Sequence, residues 1–200
     1  MHPFLNNEIT GEKFENLNLN GEAFENLVFQ DVTFDNCVFG ECAFARCLFD
    51  DCHFHNTDLS LAKFPRSRFK KVAFEGCRLL GINWSSADWE AKSLLANQSL
   101  TFKACLLDHS IFIGLKLDKT IFKDCQARHL DFESASLRQA DFAGTDLDQT
   151  RFVHCDLTRA NFVGARNYQI NAAENTLHQA RFTLPEAVAL LYSLDIILEE

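Results

Sequence analysis

Large apolar residues recur at every fifth position along most of this 200-residue chain. Counted in steps of five from Phe14, every position as far as Leu94 is Phe, Leu or Trp. The count resumes three positions out of phase at Phe102 and continues to Phe162, with Ala127 as the one smaller residue. An α-helix repeats its apolar face every 3.6 residues and a β-strand every two, so neither gives this period. A period of five predicts the straight side of a polygonal coil.

The position two residues before each large residue is also regular, because it mostly holds a small side chain. Cys, Ala, Ser, Thr and Val dominate there, whereas the other three positions of each unit are mostly polar or Gly. Each unit of five therefore places one large and one small side chain inside and three outside. Stacked coils of such units bury a narrow, close-packed core, and each coil is stabilised by its neighbours.

The period breaks once in the middle of the chain. Eight residues rather than five separate Leu94 from Phe102. This spacing predicts a phase break at about 95–101, where a small loop leaves the wall of the coil. The loop has two interpretations: a tolerated insertion, or a segment that contacts a partner.

The end of the chain departs from the repeat. The register is lost near Asn167, so we expect the last coil to be irregular. Thr183 and Glu186 have the spacing of a capping box at the start of a helix. Apolar residues then follow at helical spacing, which predicts a short α-helix over about 184–193.

These units resemble those of the pentapeptide-repeat family, whose members wind four of them into each roughly square coil. The resemblance implies an all-β fold: a right-handed quadrilateral parallel β-helix, or pentapeptide-repeat solenoid, with a short C-terminal α-helix. It also implies a coil of twenty residues. Repeats over about 12–182 then give a rod about 40 Å long at the spacing of β-strands, in a single domain covering residues 1–200.

A coil of twenty residues makes positions 20 apart neighbours on the surface, and the charges can test this. Ten such pairs have opposite charges, Asp50 with Lys70 among them, and four have like charges. Random pairing would give about equal numbers, so the excess supports the coil length. Each exposed pair contributes about 0–1 kcal/mol to stability.

The cysteines and histidines lack a pattern typical of catalysis or metal binding. All eight cysteines occupy the small inward position, where a free thiol behaves as a small apolar side chain. The spacing Cys-x4-Cys, repeated three times from Cys37 to Cys52, is not that of zinc ligands, which come in pairs with two to four residues between them. His53 and His55 flank the inward Phe54, and we expect them to face solvent. We therefore predict no enzyme activity, no metal site and no cofactor.

The predicted C-terminal helix has two interpretations. A solenoid needs a cap over its terminal coil. This helix carries more apolar surface than a cap requires, so it can also pair with a second chain. The candidate dimerisation residues are Val188, Leu190, Leu191, Leu194 and Ile196.

The ending is similar to that of the Qnr, MfpA and AlbG group of pentapeptide-repeat proteins. Segments 80–84 (LGINW) and 193–196 (SLDI) look most like the AlbG-like branch, which confers albicidin resistance. Members of the group dimerise end to end through this module. They bind DNA gyrase and protect it from quinolones, albicidin or related toxins, by a proposed likeness to duplex DNA. The resemblance implies a homodimer formed through the C-terminus, with DNA gyrase or topoisomerase IV as partner.

Charge is unevenly distributed along the chain, whose net charge is −9. Residues 1–60 carry −9, residues 61–130 carry +6 and residues 131–200 carry −6. A protein that binds DNA directly would present a basic groove. An acidic surface could instead occupy the DNA-binding surface of another protein, aided by electrostatic steering.

If two C-termini meet, carboxylates of both chains come together at the middle of the rod. The candidate partner-binding residues are Asp131, Glu133, Asp141, Asp146, Asp148 and Asp156. Asp141 and Asp156 have no basic residue 20 positions away in the regular coils, so we expect their carboxylates to be free. The alternative function is a protein-interaction scaffold with an unrelated partner.

The chain contains no apolar run of 18 residues, so no transmembrane helix is predicted. Its first residues lack the basic and apolar regions of a signal peptide. The expected location is the cytoplasm, without binding to membranes.

Overall fold

The computed structural model describes Phe4, residues 6–89, residues 100–194 and Ile196. Over these residues the chain forms a right-handed, four-sided parallel β-helix of about eight turns, with a short helix at its C-terminal end. Paired residues of the regular coils lie 20 positions apart, as Phe34 and Phe54 do. The predicted fold class is therefore confirmed.

The strands are two to four residues long, because each lies along one side of a coil and ends at the next corner. In chain order they are β1 (Glu8–Thr10), β2 (Lys13–Glu15), β3 (Ala23–Glu25), β4 (Val28–Gln30), β5 (Thr33–Asp35), β6 (Ala43–Ala45), β7 (Leu48–Asp50), β8 (His53–His55), β9 (Arg68–Lys70), β10 (Val72–Glu75), β11 (Leu100–Lys103), β12 (Ile121–Lys123), β13 (Asn161–Phe162) and β14 (Arg181–Phe182).

The coils stack into four walls, numbered here in chain order, and the strands above lie on three of them. Wall 1 contains β1, β4, β7 and β9; wall 2 contains β2, β5, β8, β10, β11 and β12, followed by β13 and β14; wall 4 contains β3 and β6. Wall 3 is held by single parallel bridges, such as that between Val38 and Asp58. Similar bridges extend the other walls towards the C-terminus.

Each wall contributes a column of large side chains to the core. On wall 2, the ring of Phe54 lies 4.8 Å from that of Phe34 and 4.9 Å from that of Phe74. The predicted column on wall 4 is also present, with ring spacings of 5.0, 5.7 and 5.5 Å along Phe24, Phe44, Phe64 and Trp84. On walls 2 and 4 the period of five thus becomes aromatic stacking along the axis of the rod.

The small inward position links successive coils by hydrogen bonds. Ser67 Oγ donates to the Phe44 carbonyl at 2.6 Å and accepts from the Cys47 amide at 2.8 Å. All eight cysteines are buried and free, as predicted. A thiol can make a similar contact, since Cys52 Sγ lies 3.4 Å from the Phe29 carbonyl oxygen. This explains why Ser, Thr and Cys share the position.

The corners turn through left-handed backbone two positions after each large residue. Asn16, Asn36 and Asn56 have φ of 56°, 54° and 47°, and Asn36 Nδ2 donates to Asn16 Oδ1. Asn tolerates this conformation better than most residues, because its side chain bonds locally. Such corners make the outer positions of the repeat polar.

The phase break is larger than the sequence count suggests. β10 pairs with β11 so that Phe74 lies beside Phe102, 28 residues further along the chain. This turn therefore contains eight residues more than a regular coil, and Phe102 takes the place in the column that the count assigns to Leu94. That assignment was wrong. Eight extra residues and three extra residues differ by one unit of five, so both place the next large residue in the same phase of the repeat. Of the predicted break, residues 95–99 lie outside the described residues, whereas Leu100 and Thr101 belong to β11.

Phe4 closes the N-terminal end of the rod. Its ring lies 5.3 Å from that of Phe14, 5.2 Å from Phe24 and 5.1 Å from Phe29. β1 continues wall 1 to Glu8. The regular coil therefore starts a few residues earlier than position 12, which the sequence analysis gave as its start.

A helix at Glu186–Leu194 closes the other end, but it is a 3-10 helix rather than the predicted α-helix. The Val188 amide donates to the Pro185 carbonyl, a bond across three residues. Thr183 does not form the predicted capping box, because its Oγ1 accepts a hydrogen bond from the Gly164 amide of the preceding coil. In the described part of the chain, no helix is long and apolar enough to cross a membrane.

Candidate partner-binding surface

The six predicted partner-binding carboxylates lie on all four walls rather than on one face. Asp156 lies on wall 1, Asp141 on wall 2, Asp146 and Asp148 on wall 3, and Asp131 and Glu133 on wall 4. Five of them belong to one coil and the sixth to the next. We call this set of six residues the acidic belt. It surrounds the C-terminal half of the rod.

Asp146 is the structural anchor of the acidic belt. Its side chain is 2% exposed and lies 2.6 Å from Arg128 Nη2 and 3.8 Å from Arg166 Nη2. Asn167 Nδ2 also donates to its Oδ1 at 2.8 Å. Burial by itself would raise the pKa of Asp146, but the donors from Asn167 and Arg128 hold it below the usual value. This carboxylate ties neighbouring coils together and is closed to a partner.

Arginines neutralise three further carboxylates of the acidic belt. Arg151 Nη1 lies 3.0 Å from Asp131 Oδ2 and 2.6 Å from Glu133 Oε2. Arg138 Nη1 lies 2.9 Å from Asp156 Oδ2. The prediction that Asp156 is free was therefore wrong. Its arginine is 18 rather than 20 positions away, because the long side chain reaches diagonally between coils.

Asp141 and Asp148 are the least compensated carboxylates of the acidic belt, although Arg128 still interacts electrostatically with Asp148. Asp141 Oδ1 accepts hydrogen bonds from Asn161 Nδ2 at 2.7 Å and from the Ala143 amide at 3.0 Å, and both donors are neutral. In the part of the chain that the structure describes, neither carboxylate belongs to an ion pair. These two are therefore the carboxylates most available to a basic partner.

Asp148 also borders an open groove of about 630 Å³ between the last coil and the C-terminal helix. Asn167, Ile170, Ala189 and Tyr192 form other parts of its lining. The sequence did not predict this groove, because it arises where the repeat becomes irregular.

The C-terminal helix has one face on its own chain and another in solvent. Ala189 and Leu190 pack against the core, and Val188 is half-buried. Ser193 Oγ fixes the helix to the last coil by accepting from the Ala172 amide at 3.1 Å. Leu190, a predicted dimerisation residue, therefore belongs to the cap.

Three of the predicted dimerisation residues remain available to a second chain, two on the exposed face of this helix and one beyond its end. Leu191, Leu194 and Ile196 are exposed. Tyr192, which the sequence analysis did not select, is 72% exposed beside them. The capping role is thus visible in the contacts, and an apolar surface remains at the end of the rod.

Comparison with known proteins agrees with this architecture. A family model described as a pentapeptide repeat region matches residues 27–100 and 94–162. A trypsin-treated variant of QnrB1, a plasmid-mediated fluoroquinolone resistance protein, is similar in structure, with 20% identity and a TM-score of 0.54 over 96% of this chain and 99% of that one. Full-length QnrB1 has 20% identity and a TM-score of 0.53, over 92% and 100%. A search of curated proteins finds no match. At 20% identity, this structural similarity establishes a shared fold alone.

Proposed function

The chain belongs to the pentapeptide-repeat family, and we propose that it is a binding protein that protects DNA gyrase or topoisomerase IV from inhibitors such as quinolones or albicidin. It would do so by presenting an acidic rod in place of duplex DNA. The acidic belt is the observation that carries this proposal. We propose no catalytic role, and a cytoplasmic location follows from the partner.

The arrangement of the acidic belt fits a DNA-binding surface on the partner. Duplex DNA carries one negative charge per about 1.7 Å of its axis, distributed all round the helix. Proteins that bind DNA answer this with clustered basic side chains. Arginines pair with the carboxylates of walls 1 and 4, so the rod offers its unpaired negative charge on walls 2 and 3, at Asp141 and Asp148. Residues 131–200 also carry a net charge of −6, which favours electrostatic steering.

Dimerisation through the C-terminal helix would double this charge at the middle of a longer rod. Leu191, Leu194 and Ile196 are exposed at the end nearest the acidic belt. An isologous contact uses the same residues of both chains, so it would bury this apolar surface twice. The proposed dimer therefore joins the two features of the C-terminal half. The fold shared with QnrB1, named as a fluoroquinolone resistance protein, adds support.

A supercoiling assay with purified DNA gyrase tests the proposal. Supercoiling should fall when a quinolone or albicidin is added, and this chain should restore it in a concentration-dependent way. An unrelated acidic protein at the same concentration is the control. Failure to restore supercoiling with either inhibitor, together with no measurable binding to gyrase or topoisomerase IV, would reject the proposal.

The second candidate function is an interaction scaffold with an unrelated partner. It is favoured by the arginines that pair with four of the six carboxylates of the acidic belt. Such pairing lowers the charge that a basic surface would meet. Capture of a partner other than a topoisomerase, without any protection in the assay, would select this function.

A further inference from the structure

We propose that wall 2 binds a divalent transition-metal ion through His53 and His55 of β8. The two histidines occupy alternate positions of one strand, so both side chains project from the same face. Phe54, between them, points into the core. The sequence pattern alone treats both residues as solvent-facing positions of the repeat.

The two imidazoles are close enough to share an ion and are stacked only loosely on each other. Their ring centroids lie 6.3 Å apart, and the side chains are 46% and 41% exposed. Their planes lie within 5° of each other, so both rings must turn before their nitrogens converge on one ion, and at 6.3 Å this turn breaks only a loose stack. The strand holds the backbone of both residues at fixed positions on the wall, which favours chelation.

Each imidazole has a carboxylate beside one of its two nitrogens. His53 Nε2 lies 4.0 Å from Asp51 Oδ1, and His55 Nδ1 lies 3.8 Å from Glu75 Oε2. The other nitrogen of each ring, Nδ1 of His53 and Nε2 of His55, remains for a metal. At these distances neither contact is a hydrogen bond, but a side-chain rotation can bring each carboxylate to the position from which it orients a ligating histidine and increases its basicity.

The neighbouring strands leave room for the ion. His53 lies between Thr33 of β5 and Ala73 of β10, whose side chains are short. His55 lies between Asp35 and Glu75 in the same two strands, so negative charge surrounds it. Lys13 already lies 3.3 Å from Asp35 and Lys71 lies 3.7 Å from Asp51, so Glu75 is the carboxylate that gives a cation here most of its electrostatic stabilisation.

The chemistry of the donors indicates which ions fit. Imidazole nitrogen suits zinc, nickel and copper, whereas magnesium and calcium prefer oxygen. Among the described residues, no three His, Cys, Asp or Glu side chains already form a metal-binding group. Because a third protein ligand is not already in place, two imidazoles would hold the ion. Water or a reoriented carboxylate would complete its coordination.

His109 and His129 provide a matched comparison on the same protein. Their rings stack face to face on successive coils, with centroids 4.7 Å apart and planes within 9°. The ring planes of His53 and His55 are also nearly parallel, so the two pairs differ in separation: at 4.7 Å the rings of His109 and His129 are in close face-to-face contact, whereas those of His53 and His55 are 6.3 Å apart. Binding one ion would require the stack to break, and this pair should not chelate.

Calorimetric titration of the full chain with zinc chloride tests the site. One zinc ion per chain should bind, and His53→Asn or His55→Asn should each abolish measurable binding. His109→Asn should leave it unchanged. Glu75→Gln should weaken it about 10-fold, because a ligating histidine loses the carboxylate that orients it.

Proton NMR of the imidazole groups gives a second measurement. Zinc should shift the signals assigned to His53 and His55 and leave those of His109 and His129 in place. No binding to the wild-type chain, or wild-type binding by the His53→Asn and His55→Asn double variant, would overturn the proposal. Thermal melting at the wild-type temperature shows that the variants remain folded.

Discussion

Arg138 and Asp156 form an ion pair between neighbouring coils of wall 1, with Nη1 2.9 Å from Oδ2. The two residues are 18 positions apart, one on each side of the inward residue in its own coil. The contact is diagonal, unlike that between Asp50 and Lys70, which are 20 apart and 2.7 Å from each other. Because this ion pair neutralises Asp156, the charges to reverse in a test of the proposed function are those of Asp141 and Asp148.

Reversing the two unpaired charges of the acidic belt should weaken gyrase binding. We expect Asp141→Lys with Asp148→Lys to slow association about 10-fold at low salt, because steering by an acidic surface is lost. The free energy of unfolding should fall by about 1–2 kcal/mol, because Asp141 accepts hydrogen bonds from Asn161 and the Ala143 amide, and a melting curve checks that the variant stays folded. Surface plasmon resonance at two salt concentrations measures the association rate.

Glu22→Lys with Asp31→Lys is the matched control for that experiment. It changes the net charge by the same amount, at exposed positions of the N-terminal coils. If both double variants slow association equally, total charge rather than the acidic belt governs binding.

A charge placed on the exposed face of the C-terminal helix should separate the proposed dimer. Leu191→Glu should give monomers in analytical ultracentrifugation and reduce protection of gyrase, while the melting temperature stays near that of the wild type. Leu190→Glu should instead lower the melting temperature, because Leu190 packs against the core of its own chain. A wild-type chain that sediments as a monomer at micromolar concentration would exclude this interface.

Asp146 should make stability depend on pH. Its pKa lies below the usual value because Asn167 and Arg128 donate to the charged carboxylate, despite its burial. The stabilisation is therefore present above the unfolded-state value of about 3.9 and is lost as pH falls through the lower folded-state pKa. Asp146→Asn should reduce the free energy of unfolding at pH 7 by about 1–3 kcal/mol.

Urea denaturation at pH 7 and at pH 3 measures this effect. The difference between wild type and Asp146→Asn should be smaller at the lower pH. Asp148→Asn, on the same wall, is the control and should change stability by less than about 0.5 kcal/mol. Equal effects of the two substitutions would show that the contacts of Asp146 contribute little.

The buried thiols should be unreactive in the folded protein. Burial raises the pKa of Cys52 to about 12 and that of Cys155 to about 11, so little thiolate is present near neutral pH. Ellman's reagent should label few thiols in the native chain and all eight in denaturant. Rapid labelling of several thiols in the native state would contradict the inward placement.

Truncating a ring within a core column should be severe. Phe44 stacks on Phe24 at 5.0 Å and on Phe64 at 5.7 Å and is almost fully buried. Phe44→Ala should reduce the free energy of unfolding by about 3–5 kcal/mol, through lost burial and a cavity. Phe44→Leu, which keeps most of the volume, should cost clearly less in the same chemical denaturation experiment.

The inward half of the structure follows from the linear pattern. The column positions of Phe34 and Phe54, and the burial of all eight cysteines, could be predicted because each depends on a residue's phase within its own unit of five. A short period defines this phase locally, and every repeat confirms it. The resemblance to a known family added the coil of twenty residues, which places these columns in register.

The outer surface and the ends depended on the tertiary structure. At the phase break, three extra residues and eight extra residues give the same phase, because they differ by one unit of five. Only the pairing of Phe74 with Phe102 showed that the turn contains eight extra residues. Thr183 bonds to a neighbouring coil instead of its own helix, and Leu190 turns inward while Leu191 stays exposed. Arg138 reaches Asp156 diagonally because a long side chain chooses among several neighbours in space. A one-dimensional period records which side of the wall a residue is on, but competition among contacts between coils decides what it touches.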